Sequence, residues 1–130
     1  MHGMDFEEYI RTANDEIAMI MQIEHKDGIT NLEEIVKVDG VDAVFIGPLD
    51  LSGSMSITGQ MQHPEMVSAL DRYLAVCRDN DLAAGMHIIR PNSKNIRNTI
   101  GQGYSLVALG LDNVFLDEGA KASLRAAGRQ

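Results

Sequence analysis

The chain has 130 residues, of which 45% are apolar and 23% are charged, a composition typical of one globular domain. No apolar run approaches the roughly 20 residues of a transmembrane helix, so a membrane protein is not expected. The net charge of −8 arises in residues 1–50, which hold 12 acidic and 3 basic side chains. Because no basic face is clustered, nucleic acid is not an expected partner.

The first ten residues, MHGMDFEEYI, lack the basic segment and apolar core of a secretory signal, which predicts a cytoplasmic protein. The single cysteine, Cys77, rules out an internal disulfide framework. Because Cys77 stands at helical spacing from Leu70, Tyr73 and Leu74, it is interpreted as a small core residue rather than a nucleophile.

Helical and strand-like patterns alternate along the chain. Parallel strands tend to be apolar at nearly every position, because both faces of their sheet are covered. The predicted strands are residues 17–23, 42–46, 83–89 and 105–111. The predicted helices are residues 5–16, 30–38, 63–80, 92–102 and 114–127.

Capping residues mark the expected starts of several of these helices. Asp5 and Thr30 stand where N-caps are expected, and Glu33 would complete a capping box with Thr30. Pro64 fits the first turn of the longest helix. The inner face of that helix is predicted to carry Val67, Leu70, Leu74 and Cys77.

Four strands that are each followed by a helix predict one α/β domain with a parallel sheet and right-handed crossovers. Two architectures remain open at this stage. A small doubly wound sheet would be self-contained at this length, whereas a (β/α)₈ barrel needs about 250 residues. Both architectures place functional residues at the carboxyl ends of strands, which is where Gln22, Glu24, Asp50 and His87 fall.

Two acidic residues, Glu24 and Asp50, follow the first two predicted strands. Carboxylates at neighbouring strand ends can hold a hard divalent cation such as Mg²⁺ or Mn²⁺ and leave coordination positions open for water or substrate. The segment GPLDLSGS, residues 47–54, adds unpaired backbone N–H groups that favour a carboxylate or a phosphate. The alternative interpretation is that Asp50 only caps a helix and that Glu24 faces solvent.

Four segments of the chain carry recognisable motifs: MQIEHKDGITNLEEIVKVDGVDAVFIGPLDLSGSM, HPEM, AAGMHI and LVALGLDNVFL. They resemble the HpcH/HpaI aldolase and citrate lyase family, and more narrowly its class II pyruvate aldolases. The resemblance implies that residues 1–130 form a single domain, the carboxyl-terminal half of a TIM (β/α)₈ barrel. It also implies a metal-dependent carbon–carbon lyase that cleaves a 2-keto-3-deoxy or 4-hydroxy-2-keto acid to pyruvate and an aldehyde.

The resemblance also assigns roles to residues of this chain. In the family, the glutamate of QIE and the aspartate of GPxDLS bind the divalent metal, which implies Glu24 and Asp50 as ligands of Mg²⁺, Mn²⁺ or Co²⁺. The glutamine of QIE matches a substrate-pocket residue and is Gln22 here. The loop that binds the pyruvate carboxylate through main-chain amides consists here of Gly47, Pro48, Leu49 and Asp50.

Other parts of the family's site are not found in this chain. The histidine that serves proton transfer and the arginine that stabilises the enolate belong to earlier strands in the family. His87 is a candidate to line the pocket and to act as a replacement base, although a single strand-end histidine is more often structural. Catalysis by the chain alone is therefore expected to be much slower than by a full barrel.

A half-barrel would leave two open sheet edges and an apolar inner face. The chain is therefore expected to form a homo-oligomer or to pair with a partner chain that completes the barrel, and the helix at 114–127 is a candidate contact. Two alternatives to an aldolase remain. One is a non-catalytic or split half-barrel that needs a partner, and the other is a small α/β module that binds carboxylated or phosphorylated ligands.

Overall fold

The computed structural model describes residue 3 and residues 5–129 of the chain. This part contains four strands and seven helices, with one or two helices after each strand, and forms an α/β fold. The strands are β1 (Ile20–Ile23), β2 (Ala43–Ile46), β3 (Ala83–Ile88) and β4 (Leu106–Leu109). The helices are α1 (Phe6–Glu16), α2 (Lys26–Thr30), α3 (Leu32–Ile35), α4 (Pro48–Ser54), α5 (Pro64–Asp79), α6 (Ser93–Gly101) and α7 (Asp112–Ala126). Among the described residues, no helix is long and apolar enough to cross a membrane.

The four strands form one parallel sheet in the order β1-β2-β3-β4. In a doubly wound sheet the strand order reverses at a switch point, whereas in a (β/α)₈ barrel each strand pairs with the next one along the chain. The order of the described strands does not reverse. The sheet therefore corresponds to consecutive βα units of a barrel, which confirms the predicted fold class.

Side chains alternate between the two faces of this sheet. The row that faces the helices consists of Ile23, Ile46, Met86 and Val107. The core on this side is completed by residues from the helices α2 to α5: Ile29, Leu32, Leu51, Met66, Tyr73 and Cys77. The opposite face, which would point toward the axis of a barrel, is called the inner face below.

Strand β1 differs from its prediction as a long buried strand over residues 17–23. It begins only at Ile20, and Ile20 and Met21 are 46% and 39% exposed. The reason is that β1 is an edge strand, paired only with β2 among the described strands. The apolar run at residues 17–23 has the pattern of a parallel strand that is buried on both faces. In the structure it forms an exposed edge strand instead.

The predicted helix at 30–38 is also corrected. Helix α2 begins at Lys26, because the ring of His25 accepts a hydrogen bond from the Asp27 N–H at 3.2 Å and caps the helix. Thr30 is not a cap, since its hydroxyl donates to the Lys26 carbonyl at 3.1 Å. Helix α2 ends at Thr30 and α3 begins at Leu32, after Asn31. The single predicted helix is therefore two short helices. Helix α4 was not among the five predicted helices.

The other helices lie close to their predicted bounds. Asp5 occupies the N-cap of α1 as predicted, although its side chain makes no capping hydrogen bond. Asn92 caps α6 through a capping box with Asn95. Cys77 is 1% exposed, and burial raises the pKa of its thiol to about 11, which confirms its interpretation as a core residue.

The buried side of α5 is rotated relative to its prediction. Cys77 is buried as expected, but Val67 is 39% exposed, and Leu70 and Leu74 lie at the margin of the core. The residues of α5 that are buried are Met66, Ala69, Tyr73, Val76 and Cys77. Tyr73, at the centre of this stripe, determines the rotation because its hydroxyl is bonded to the sheet.

The Tyr73 hydroxyl lies between β2 and β3. It donates to the Val44 carbonyl at 2.8 Å and accepts from the Gly85 N–H at 2.9 Å. Burial raises the pKa of Tyr73, so the hydroxyl stays protonated and can donate. The Tyr73 ring also stacks on Tyr104, with the ring centroids 6.2 Å apart. One buried side chain thus joins the longest helix to the two central strands.

Replacing Tyr73 by Phe is expected to lower the free energy of unfolding by about 1–3 kcal/mol, because it removes the buried hydrogen bonds of the hydroxyl to the Val44 carbonyl and the Gly85 N–H. Urea denaturation would measure the change. Tyr104→Phe is the matched control, because it also removes one tyrosine hydroxyl. Among the described residues, Tyr73 is the only one whose hydroxyl bonds to β2 or β3. Equal effects of the two variants would contradict the role given to the Tyr73 hydroxyl.

Candidate metal and carboxylate site

The carboxyl ends of β1 and β2 bring Glu24 beside Gly47. The strands are in register up to Ile23 and Ile46, and the pairing continues because the Gly47 N–H donates to the Ile23 carbonyl at 3.0 Å. The Glu24 side chain lies across the glycine: a Cβ atom on Gly47 would be 2.5 Å from the Glu24 Oε1. Any larger residue at position 47 would therefore have to displace the Glu24 carboxylate.

Gln22 holds one oxygen of that carboxylate. Its side-chain amide Nε2 donates to the Glu24 Oε1 at 2.6 Å. Both residues are exposed and point to the inner face, two positions apart on the same strand. Among the described residues the other oxygen, Oε2, has no hydrogen-bond donor. The carboxylate is thus oriented through one oxygen and open at the other.

Asp50 lies in the first turn of α4, just beyond the end of β2. The N-cap position of this helix belongs to Gly47, which has no side chain, and Pro48 follows at the first helical position. The alternative in which Asp50 caps the helix is therefore wrong. Its carboxylate is exposed and bonds to no other described residue.

The backbone N–H groups of Leu49 and Asp50 also have no acceptor within the described part of the chain. The first N–H groups of a helix have no partner inside the helix, and here the intrahelical bonding begins with the Leu51 N–H, which donates to the Gly47 carbonyl at 2.9 Å. These two donors lie in the loop that follows Gly47, the residue that the Glu24 side chain contacts. The same loop thus offers donors for an anion and oxygen ligands for a cation.

Hydroxyl groups fix this loop to its surroundings. Ser54 accepts from the Lys26 N–H at 2.9 Å and donates to the Leu51 carbonyl at 2.7 Å, which ties the end of α4 to the segment after β1. Ser52 is fully buried and donates to the Leu49 carbonyl at 2.6 Å. The segments that carry Glu24 and Asp50 are therefore held together by bonds other than those of the sheet.

His87 lies on the inner face at the same level of the sheet as Glu24 and Gly47. Met86 is in register with Ile46, so the next residues, His87 and Gly47, are neighbours across β2 and β3. The His87 ring is half-buried, and its Nε2 lies 2.8 Å from the Gly110 carbonyl oxygen. The structure thus places His87 in the row of the candidate site, on the side of β4.

The donor set fits a hard divalent cation. Mg²⁺ is usually bound by one or two carboxylates, with water and substrate oxygens completing its shell. Glu24 and Asp50 supply two carboxylates with open oxygens, on segments that the structure brings together. Over residue 3 and residues 5–129, no group of three or more His, Cys, Asp or Glu side chains lies close enough to hold a metal ion. A site built only from protein ligands, as in structural zinc sites, is therefore not present there.

Some features of the site were missed from the sequence. The sequence predicts that Gly47 contributes its backbone N–H to a carboxylate site. The structure shows in addition that the Glu24 side chain fits beside Gly47 because this residue has no Cβ atom. A glycine at the start of GPLDLS indicates a position where another group approaches the backbone closely, but the sequence does not show that this group is the side chain of Glu24. The contact of Ser54 with Lys26 joins residues 28 positions apart and left no local signal.

Comparisons with known proteins identify the family to which the chain is similar. A sequence profile of the HpcH/HpaI aldolase/citrate lyase family matches residues 4–117. A 4-hydroxy-2-oxo-heptane-1,7-dioate aldolase of Escherichia coli is 36% identical over 123 residues, which are 95% of this chain and 46% of the relative. The corresponding aldolase of Salmonella typhimurium is 38% identical over 115 residues, or 43% of its length. The chain thus spans less than half the length of these curated relatives.

Solved structures show the same relation. A HpcH/HpaI aldolase/citrate lyase family protein from Burkholderia cenocepacia superposes with a TM-score of 0.82 and 30% identity, over 92% of this chain and 46% of that protein.

Replacing Gly47 by Ala is expected to weaken Mn²⁺ binding about 10–100-fold, the usual effect of disturbing the residues that orient a metal ligand. The reason is that the new Cβ atom takes the place of the Glu24 carboxylate. Gly53→Ala in the same helix is the matched control, because its Cβ atom would have no neighbour closer than 3.7 Å. Isothermal titration calorimetry would measure both, and unchanged Mn²⁺ affinity of Gly47→Ala would contradict the steric argument.

Proposed function

Since the chain belongs to the HpcH/HpaI aldolase/citrate lyase family, we propose that it provides the metal-binding and pyruvate-binding part of a class II aldolase, a carbon–carbon lyase. The observation that supports this most directly is the meeting of Glu24 with the loop from Gly47 to Asp50. The curated relatives are named for a 4-hydroxy-2-oxo dicarboxylic acid. The proposed substrate is accordingly a 4-hydroxy-2-keto or 2-keto-3-deoxy acid, which is cleaved to pyruvate and an aldehyde.

In this proposal Glu24 and Asp50 bind a divalent cation, and the cation is Mg²⁺, Mn²⁺ or Co²⁺. When bound, such a cation polarises the keto oxygen of the substrate as a Lewis acid. Gln22 keeps the Glu24 carboxylate in place through its hydrogen bond and lines the pocket beside it.

The carboxylate end of the substrate lies at the loop formed by Gly47, Pro48, Leu49 and Asp50. The unpaired N–H groups of Leu49 and Asp50 donate to it, while Pro48 fixes the first turn without adding a donor. Because the loop is bonded to its surroundings through Ser52 and Ser54, these donors are positioned before the substrate arrives.

The metal assignment predicts that Glu24→Ala and Asp50→Ala each reduce Mn²⁺ binding below detection in a calorimetric titration, because one carboxylate alone is a weak ligand set. Glu34→Ala is the matched control, since Glu34 is an exposed acid on α3, away from the strand ends. It removes the same charge and should leave the Mn²⁺ affinity unchanged. If the two site variants bound Mn²⁺ as the unmodified chain does, the assignment would be wrong.

The second part of the proposal is that residues 1–130 act as a single domain, the carboxyl-terminal half of the barrel, with the other βα units supplied by further protein. The exposed edge strand β1 supports this, as do apolar side chains of α7: Phe115 is 52% and Leu116 75% exposed. The strand order favours a barrel half over a small doubly wound binding module. A non-catalytic half-barrel that binds ligand without turnover remains the second candidate function.

The exposed edge and inner face predict that the purified chain self-associates or pairs with a chain that completes the barrel. Light scattering at micromolar concentration should give a mass above 14.2 kDa for the isolated chain, or for its complex with such a partner. Ile20→Lys places a charge on the exposed edge and should reduce the association, whereas Glu7→Lys on α1 is the control for added charge. A chain that stays monomeric under all these conditions would favour a self-contained sheet.

A further inference from the structure

Ser52 is a fully buried polar side chain next to the loop of the proposed carboxylate site. It lies on the core side of α4, and its exposed fraction is 0%. Its hydroxyl donates to the Leu49 carbonyl at 2.6 Å and accepts from the Gly59 N–H at 2.9 Å. A hydroxyl that leaves water is unfavourable unless it is hydrogen-bonded, and here both its donor and its acceptor function are used. The core therefore contains a polar group whose bonds lead toward the loop.

The bond to the Leu49 carbonyl determines the direction of the Asp50 N–H. These two groups belong to the same peptide unit, which is planar and trans. In a trans peptide unit the C=O and N–H bonds point in opposite directions, so holding the carbonyl toward Ser52 turns the N–H away from Ser52. The Asp50 N–H has no acceptor within the described part of the chain and is one of the two donors of the proposed carboxylate site.

The Gly59 N–H is held in place by a turn after α4. The Ile57 N–H donates to the Ser52 carbonyl at 2.9 Å, and the Gln60 N–H donates to the Ile57 carbonyl at 2.9 Å. The Ile57 side chain is buried in the core, and Gly59 has a φ angle of +75°, in the left-handed region that favours glycine. The donor that orients the Ser52 hydroxyl is thus part of a backbone with a fixed conformation.

We infer, on the basis of the proposed function, that Ser52 is a positioning residue of the carboxylate site. The Gly59 N–H, the Ser52 hydroxyl and the peptide unit between Leu49 and Asp50 form one chain of hydrogen bonds that ends at the Asp50 N–H. Each bond in such a chain polarises the next, so the two bonds of Ser52 direct the Asp50 N–H and also strengthen it as a donor. Ser52 itself does not contact the ligand and acts through this peptide unit.

NMR of the backbone amide signals tests the chain of bonds directly. Pyruvate is added to the purified 130-residue chain in the presence of Mg²⁺, which does not broaden the signals. Pyruvate bound at the Asp50 N–H should shift the Asp50 signal and, through Ser52, move the Gly59 amide proton downfield. In Ser52→Ala the Gly59 shift should be lost, because the hydroxyl that links the two groups is missing.

Calorimetry with Mn²⁺ and then with pyruvate separates positioning from a structural role. Ser52→Ala should weaken pyruvate binding about 2–10-fold, the effect of losing one net hydrogen bond. Its Mn²⁺ affinity should be unchanged, because the Glu24 and Asp50 carboxylates remain. Ser52→Cys has a similar shape but is a much weaker donor, so it should show the same loss. Ser123→Ala, the control, removes a hydroxyl that bonds to a backbone carbonyl of α7 and should keep both affinities.

The proposed role of Ser52 is overturned if folded Ser52→Ala binds pyruvate as the unmodified chain does. It is also overturned if the Mn²⁺ and pyruvate affinities fall together, since a purely structural role would give that result. If neither variant of Ser52 folds, the unmodified chain decides, because a Gly59 signal that stays in place while the Asp50 signal moves contradicts the linkage. Failure of the proposed function differs: the unmodified chain would bind neither Mn²⁺ nor pyruvate, and the role of Ser52 would fall with it.

Discussion

The hydrogen bonds of the Tyr73 hydroxyl are the constraint on which the arrangement of this molecule depends. They join α5 to β2 at Val44 and to β3 at Gly85, and they determine which side of the helix is buried. Because the hydroxyl bonds to a carbonyl of one strand and to an N–H of the next, a shift of either strand would break one of these buried bonds. The register of the central strands, and with it the level at which each strand ends, is tied to this side chain.

That register creates the candidate site. It places Glu24, Gly47 and His87 in one row on the inner face, while Asp50 follows on a loop bonded to the segment after β1. Glycine has a similar steric role at two of these points. Gly47 admits the Glu24 carboxylate, and Gly110 admits the Phe115 ring beside the carbonyl that orients His87. The polar groups of the site are thus positioned by backbone that can approach closely only where a side chain is missing.

The two faces of the sheet differ in a way that bears on function. The face toward the helices holds a continuous core, whereas the inner face carries the polar residues Gln22, Glu24 and His87 beside partly buried apolar ones. The edge strand β1 exposes the apolar residues Ile20 and Met21. The proposed binding groups for a cation and an anion lie on adjacent segments within this chain, so in this proposal binding requires little beyond the fold itself. Turnover requires in addition a base and a closed, water-poor pocket, and a sheet open on one face cannot by itself exclude water. For this physical reason we expect the isolated chain to bind ligands but to turn substrate over slowly.

The sequence alone determined the four strands, four of the helices and the candidate ligands. Apolar runs bounded by turn residues revealed four strands, and acids within four residues of the ends of two of them revealed Glu24 and Asp50, because both signals lie within a few neighbouring residues. Contacts between distant residues were not readable in this way. Only the tertiary structure showed that Tyr73 rotates α5, that β1 is an exposed edge, that Gly47 holds the N-cap position before Asp50, and that Gly110 orients His87. Each of these depends on which residues meet across the sheet, and strand pairing is decided by packing of the whole domain rather than by local sequence.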